Sequence, residues 1–165
     1  MHEKSIVLLN KGVADELAAI HQYMYFHFHL DDQGYDLLSS MFRRIAIREM
    51  THAEMLAERI LFLKGEVDME LAFPVEKIHD VGEMLKKAAQ MEEDAVKSYN
   101  QWANESAANA DSVSKKLFEL LAEEEEGHYD QFDLELDQVT KFGERYLALQ
   151  SIERSKKNEA GLPAE

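Results

Sequence analysis

The sequence predicts an all-α protein: four long helices in a bundle, one long crossover between its halves, and a short fifth helix near the C-terminal end. Three observations carry this reading. Apolar residues recur at helical spacing over four long stretches. Only two prolines, Pro74 and Pro163, occur in 165 residues, so nearly all of the chain is free to be helical. Glycines stand just beyond the ends of three of the four stretches, where helices commonly stop.

Taken in order, the first helix is expected over about Ser5 to Asp32, with Gly34 as its stop. The second runs from about Asp36 to Lys64 and is closed by Gly65. A third begins at Asp80, whose side chain can cap while Glu83 reaches back, and continues to about Asn109. The fourth starts near Asp111 or Ser112 and runs to Phe142, where Gly143 breaks it. Glu144 to Ile152 reads as a short fifth helix. From Glu153 the chain is charged and ends in Gly-Leu-Pro-Ala-Glu, a tail expected to fray. The length suits one domain with a sizeable core, here residues 1–152, followed by the tail 153–165.

Loop lengths then suggest the topology. The first two helices, and likewise the last two long ones, are separated by a few residues and should form antiparallel hairpins. Between them lies the stretch Gly65 to His79, with little helical pattern and the pair Phe73-Pro74. A helix of 29 residues is roughly 43 Å long, and 15 extended residues reach roughly 50 Å at most. That stretch can therefore cross the whole bundle and set helices two and three parallel; a loose surface loop would leave the topology open.

Composition excludes several function classes. The 33 acidic and 18 basic residues give a formal charge of −15, which argues against nucleic acid, where affinity rests on lysine and arginine at phosphates. The acids favour solubility and would attract small cations if they line a concave surface, although a solvated exterior accounts for the same charge. Cysteine is absent, which removes disulfides, thiolate metal sites and cysteine nucleophiles, and fits a reducing cytoplasm. No stretch approaches the roughly 20 apolar residues of a membrane span, and Met1 to Leu9 does not read as a signal peptide.

The informative feature is a constellation that occurs twice. Glu49-Met50-Thr51-His52 stands on the second predicted helix and Glu125-Glu126-Gly127-His128 on the fourth. Both are Glu-x-x-His, with carboxylate and imidazole about a turn apart on one face. Glu49 follows Glu16 by 33 positions, and Glu125 follows Glu92 by the same 33. A tyrosine follows each upstream glutamate by seven positions, Tyr23 and Tyr99, two turns along the same stripe. In an antiparallel hairpin a fixed separation across the turn brings both positions to one height. Two stacked hairpins then gather four glutamates and two histidines at mid-height, facing inward. Such a group of buried carboxylates costs roughly several kcal/mol each unless compensated, and two divalent cations compensate it. A mixed oxygen and nitrogen set without sulfur suits iron or manganese.

One Glu-x-x-His among so many acids is a weak signal; the doubled pattern at equal spacing is specific. Within the acid runs, the shared interval selects Glu92 over Glu93, and Glu125 over Glu123, Glu124 and Glu126. Tyr23 can donate an electron or hydrogen-bond a ligand, or can simply pack. His27 lies on the stripe of Glu16, Ile20 and Tyr23, but a packed or surface role is the simpler reading for it, as for His2, His21, His29 and His79.

Glu16 with Tyr23, Glu49-Met50-x-His52, the segment Glu-Arg-Ile-Leu-Phe-Leu-Lys-Gly ending at Gly65, and Glu-Glu-Gly-His128 resemble bacterioferritin over about residues 5 to 150. The resemblance implies the ferritin-like four-helix bundle, with its single long crossover and short fifth helix. It implies a ferroxidase and iron store: a cytoplasmic homo-oligomeric shell of 24 subunits that oxidises Fe(II) with oxygen or hydrogen peroxide. Two iron ions per subunit are implied, one held by Glu16 and His52, the other by Glu92 and His128, with Glu49 and Glu125 bridging. Haem b shared between two subunits through Met50 is implied as well, as is a ferredoxin-type reductant. Methionine is a soft axial ligand for haem iron, and one step from Glu49 turns Met50 by about 100° towards a partner; a packing methionine is the alternative.

The chain departs from the family pattern at Arg44 and Arg48, where some bacterioferritins place a histidine and an aspartate for an extra iron on the cavity wall. Two cations there should repel iron. Rival readings are a haem-free ferritin-like protein, a ferritin-like oxidase or peroxidase without mineral storage, and a metal-free helical interaction protein.

Overall fold

A computed structural model of the chain describes residues 2–159. Five helices follow one another: α1 (Glu3–Asp32), α2 (Asp36–Phe62), α3 (Val81–Ala108), α4 (Ser112–Phe142) and α5 (Glu144–Glu159). The first four form the expected bundle, and α5 lies across α2 and α4. The fifth helix runs to Glu159, beyond the expected end at Ile152. Residues 153–159 are helical because nothing in Glu-Arg-Ser-Lys-Lys-Asn-Glu breaks a helix. The rest of the expected tail, 160–165, lies outside the described residues.

Helix directions follow from side-chain pairs. Glu16 and Tyr23 on α1 meet Tyr99 and Glu92 on α3 in reverse order, so these two helices are antiparallel. Arg59, near the end of α2, binds Asp111 at the start of α4, so that pair is antiparallel too. With α1–α2 and α3–α4 as hairpins, α2 and α3 run parallel on one diagonal. The crossover therefore spans the bundle, and it is tied down along α1. The Asn10 amide donates to Glu66 O and accepts from Asp68 N (2.9 and 2.8 Å). Ala72 N donates to Ala14 O at 3.1 Å. The Gln22 amide grips the Glu76 backbone through both its oxygen and its nitrogen (2.8 and 2.9 Å), and Gln33 donates to His79 O at 3.1 Å. The loose-loop alternative is thereby set aside.

The cap expected at Asp80 forms, a second stands at Asp111, and the end of α2 departs from expectation. Asp80 accepts from Glu83 N at 3.0 Å at the start of α3. Asp111 accepts from Ser114 N and Oγ at the start of α4 (3.1 and 2.7 Å) while bound to Arg59. At the end of α2 it is Lys64 that takes the left-handed conformation (φ 65°). Gly65 is required there for space: a Cβ would lie 2.7 Å from the Ile6 side chain.

The core is split in two. One apolar cluster holds Phe26, Leu30, Phe42, Ile45, Leu85 and Phe132. The other holds Leu9, Val13, Leu56, Ile60, Phe118 and Leu121. Tyr23 belongs to the first cluster and Tyr99 to the second. Between them lies a belt of buried polar groups: Glu16, Glu49, His52, Glu92, Glu125 and His128.

Candidate metal centre

Each helix of the bundle contributes to this belt at mid-length: Glu16 from α1, Glu49 and His52 from α2, Glu92 from α3, and Glu125 and His128 from α4. Glu-x-x-His on α2 and α4 turns carboxylate and imidazole to the same inner face, as helical geometry requires. Two overlapping ligand groups result, Glu16–Glu49–His52–Glu125 and Glu49–Glu92–Glu125–His128, each with donor atoms within 4.8 Å of one another. Glu49 and Glu125 belong to both groups and stand where bridging carboxylates would. All six side chains expected from the repeat are therefore brought together, and Glu93, Glu123 and Glu126 are exposed, outside the centre.

The imidazoles of His52 and His128 lie 5.7 Å apart, nearly parallel at 18°. Each turns Nδ1 inward. His52 Nδ1 is 2.8 Å from Glu49 Oε2 and 3.0 Å from Glu125 Oε1. His128 Nδ1 is 2.9 Å from both Glu49 Oε1 and Glu125 Oε2. The two tyrosines cross over between hairpins: Tyr23 on α1 donates to Glu92 on α3 at 2.5 Å, and Tyr99 on α3 donates to Glu16 on α1. Each hydroxyl thus holds one terminal carboxylate, while its ring packs in the adjoining apolar cluster, Tyr23 against Phe132 at 5.3 Å and Tyr99 against Trp102 at 5.5 Å.

With protein groups alone, the centre is electrostatically strained. Burial first, then the neighbouring Glu49 charge, pushes the Glu16 carboxyl up to about 7. Burial and Glu125 raise Glu92 well above the carboxylate range, and burial with Glu16 and Glu49 raises Glu125. Burial opposes charge on His128, but the hydrogen bond to Glu125 and the close Glu49 carboxylate outweigh it and raise the imidazole to about 10. His52 is raised in the same way, by Glu125, Glu16 and Glu49 against burial. Both tyrosines are raised by burial and by the carboxylates, so they remain neutral donors.

The donor set fits a pair of cations. Both oxygens of Glu49 are buried with no aligned hydrogen-bond donor, although each lies within 3 Å of an imidazole nitrogen. Lone pairs left unused in that position are what a metal ion would take up. A cavity of about 380 Å³ leads to the centre between α1 and α3, beneath Phe73 and Pro74 of the crossover. Asp15, Glu76, Lys87 and Asp94 line it. Burial raises Asp15 to about 6.

The other singled-out residues fall elsewhere. Met50 is half exposed on α2, directed away from the buried Glu49 beside it. His27 bonds Ser39, joining α1 to α2 without touching the centre. His29 and His79 pack edge to face at 4.4 Å near the start of α3, with Tyr25 bonded to His79 at 3.0 Å. Arg48 is not a free cation: Nε and Nη2 bind Glu124 at 2.6 and 2.5 Å. Arg44 donates to Gln131 at 3.2 Å. The residue that sequence reasoning missed is Glu124, which also contacts His52 Nε2 at 2.7 Å. Its signal was its place in the repeat, one position before Glu125 as Arg48 is one before Glu49, with the opposite charge.

Fold and centre together define a four-helix-bundle carboxylate protein of the di-metal class. The ferritin-like domain model matches residues 6–149. A bacterioferritin of Desulfovibrio desulfuricans is 37% identical over 145 residues, covering 88% of this chain and 81% of that protein. One of Brucella melitensis is 36% identical, covering 86% and 88%, and one of Streptomyces coelicolor is 32% identical, covering 94% and 93%. The X-ray structure of the Desulfovibrio desulfuricans bacterioferritin, which shows its diiron site in different catalytic states, superposes with a TM-score of 0.88 at 36% identity, over 90% of this chain and 86% of that one. The chain belongs to the bacterioferritin family of ferritin-like proteins.

Proposed function

We propose that this chain is an iron-oxidising and iron-storing protein. Fe(II) is its substrate, taken up as a pair at the buried centre. Oxygen or hydrogen peroxide accepts one electron from each ion, and the ferric product is stored in a hollow homo-oligomeric shell of 24 subunits. The carrying observation is the pair of overlapping ligand groups that share Glu49 and Glu125. Glu16 and His52 serve one position, Glu92 and His128 the other. The shared carboxylates keep the two ions close enough to give up electrons together. Tyr23 orients Glu92 through its hydroxyl and stands in position to pass an electron. The acid-lined cavity beneath the crossover supplies a route for a small cation, and −15 of formal charge favours its approach.

Haem b between two subunits is the finer part of the reading. Met50 fits it in that its thioether is half exposed on the outer side of α2, beside the exposed Ile47. Haem bound there would supply electron transfer, and a ferredoxin-type reductant is the partner this suggests for iron release. The absence of cysteine agrees with a cytoplasmic setting.

Anaerobic addition of Fe(II) followed by oxidant tests the centre. Glu49→Ala and His128→Ala should each slow oxidation by at least about 100-fold, since loss of even an outer partner of a metal ligand costs 10- to 100-fold. Oxidation as fast as in the unaltered protein would end this assignment.

A further inference from the structure

The internal repeat makes the ligand sets of the two halves nearly equivalent, but the residues flanking those ligands differ. The residue before each bridging glutamate is Arg48 on α2 and Glu124 on α4. They do not act independently: the Arg48 guanidinium binds both oxygens of Glu124, at 2.6 and 2.5 Å. Glu124 Oε2 in turn faces His52 Nε2 at 2.7 Å. Because His52 directs Nδ1 to the bridging carboxylates, a metal bound at Nδ1 requires the ring proton on Nε2, where Glu124 accepts it. His128 also directs Nδ1 inward, and among the described residues its hydrogen bond and ion pairs are all at Nδ1, with none at Nε2. The position that would supply an acceptor is occupied by Arg48, a cation with no acceptor lone pair. His128 instead borders a surface hollow formed with Arg44, Arg48, Thr51 and Gln131.

We propose that Glu124, tethered by Arg48, is a positioning residue for His52, and that this contact makes the two metal positions unequal. The position served by His52 fills first and holds its ion more tightly. The position served by His128 is the labile one. Glu124 touches no metal; it fixes the tautomer and rotation of the ring that does. This inference rests on the two-metal reading of the centre and adds an order to it.

The test is an anaerobic titration of the metal-free protein with cobalt(II), followed through the visible bands of the bound ion. The unaltered protein should bind two ions per chain in two resolved steps. Glu124→Ala should weaken the first step about 10- to 100-fold and leave the second in place. Glu124→Gln, which keeps an acceptor oxygen, should recover part of the loss. Arg48→Glu removes the tether and offers His128 a carboxylate, so it should tighten the second step and draw the two together. Unchanged steps in Glu124→Ala, or equal weakening of both, would overturn the positioning role. Two ions bound by the unaltered protein in one unresolved step would overturn the inequality alone, whereas uptake of fewer than two would overturn the two-metal reading and this inference with it.

Discussion

Glu49 shows what the centre demands of a single residue. It is 1% exposed, sits between two imidazoles, and has no aligned donor for either oxygen. With protein groups alone, protons do the work of cations: His52 and His128 are held charged by the surrounding carboxylates, His128 up to about 10, and Glu16 keeps its proton up to about 7. Metal must displace those protons. Both imidazoles titrate above their usual value, so the competing proton is fully bound at pH 7 and is lost only as pH rises. Two Fe(II) ions added anaerobically at pH 7 should therefore release at least about two protons per chain, one from each imidazole and more from Glu92 and Glu16, and apparent affinity should fall as pH is lowered. A pH-stat checks this; uptake without proton release would contradict it. The six clustered side chains were legible because a repeated spacing on predicted helices fixes height and face together. Glu124 was not. In a run of four glutamates the sequence marks which one faces inward, but it cannot show that a flanking acid reaches across to another helix.

At the scale of elements, the start of α4 is secured by Asp111 more than by packing alone. Its carboxylate caps the helix through Ser114 and binds Arg59 of α2 at 2.7 Å, so one group closes a helix end and joins two helices. Burial disfavours its charge, but hydrogen bonds from Ser114 and Arg59 outweigh this and hold the carboxyl at about 2, below its ordinary 3.8. A folded-state value below the unfolded one means the contribution is present above pH 4 and disappears as pH falls towards 2. Asp111→Ala should cost about 3 kcal/mol at pH 7, from a lost cap and a stranded arginine, and the difference should shrink in acid. Denaturant unfolding at pH 7 and pH 3 measures both effects. The cap at Asp80 could be read in advance because capping is local chemistry, whereas at Asp111 the sequence marks only the approximate start of the helix. The left-handed residue after α2 could not: Gly65 marked the stop, yet the constraint there is the approach of Ile6 from α1, a tertiary contact. For α5, the charge of the tail suggests fraying, but its charged residues are good helix formers.

For the molecule as a whole, no helix among the described residues is long and apolar enough to cross a membrane. Large apolar side chains nevertheless remain exposed, among them Phe28, Phe62, Leu134 and Phe142, along with Met50 and Ile47 on α2. Such surface on so charged a chain suits burial against further copies. Gel filtration of the purified protein should give a particle of about 24 chains, and its absorption should show a haem band that Met50→Leu abolishes. A monomer or small oligomer would rule out mineral storage while leaving oxidation at the centre possible. A large particle lacking the band would favour the haem-free form.

The bundle's two hairpins each carry one terminal glutamate, one bridging glutamate and one histidine. Neither half is a complete binding site, because each ion would need the bridging carboxylate of the other half. Bound ions would thus add cross-braces to the hydrogen bonds that already join the two hairpins. A chain nicked within the crossover, between Met69 and Leu71 where the residues are exposed, should hold together far better with divalent metal than without it. The site that handles iron would also serve as the rivet of the fold.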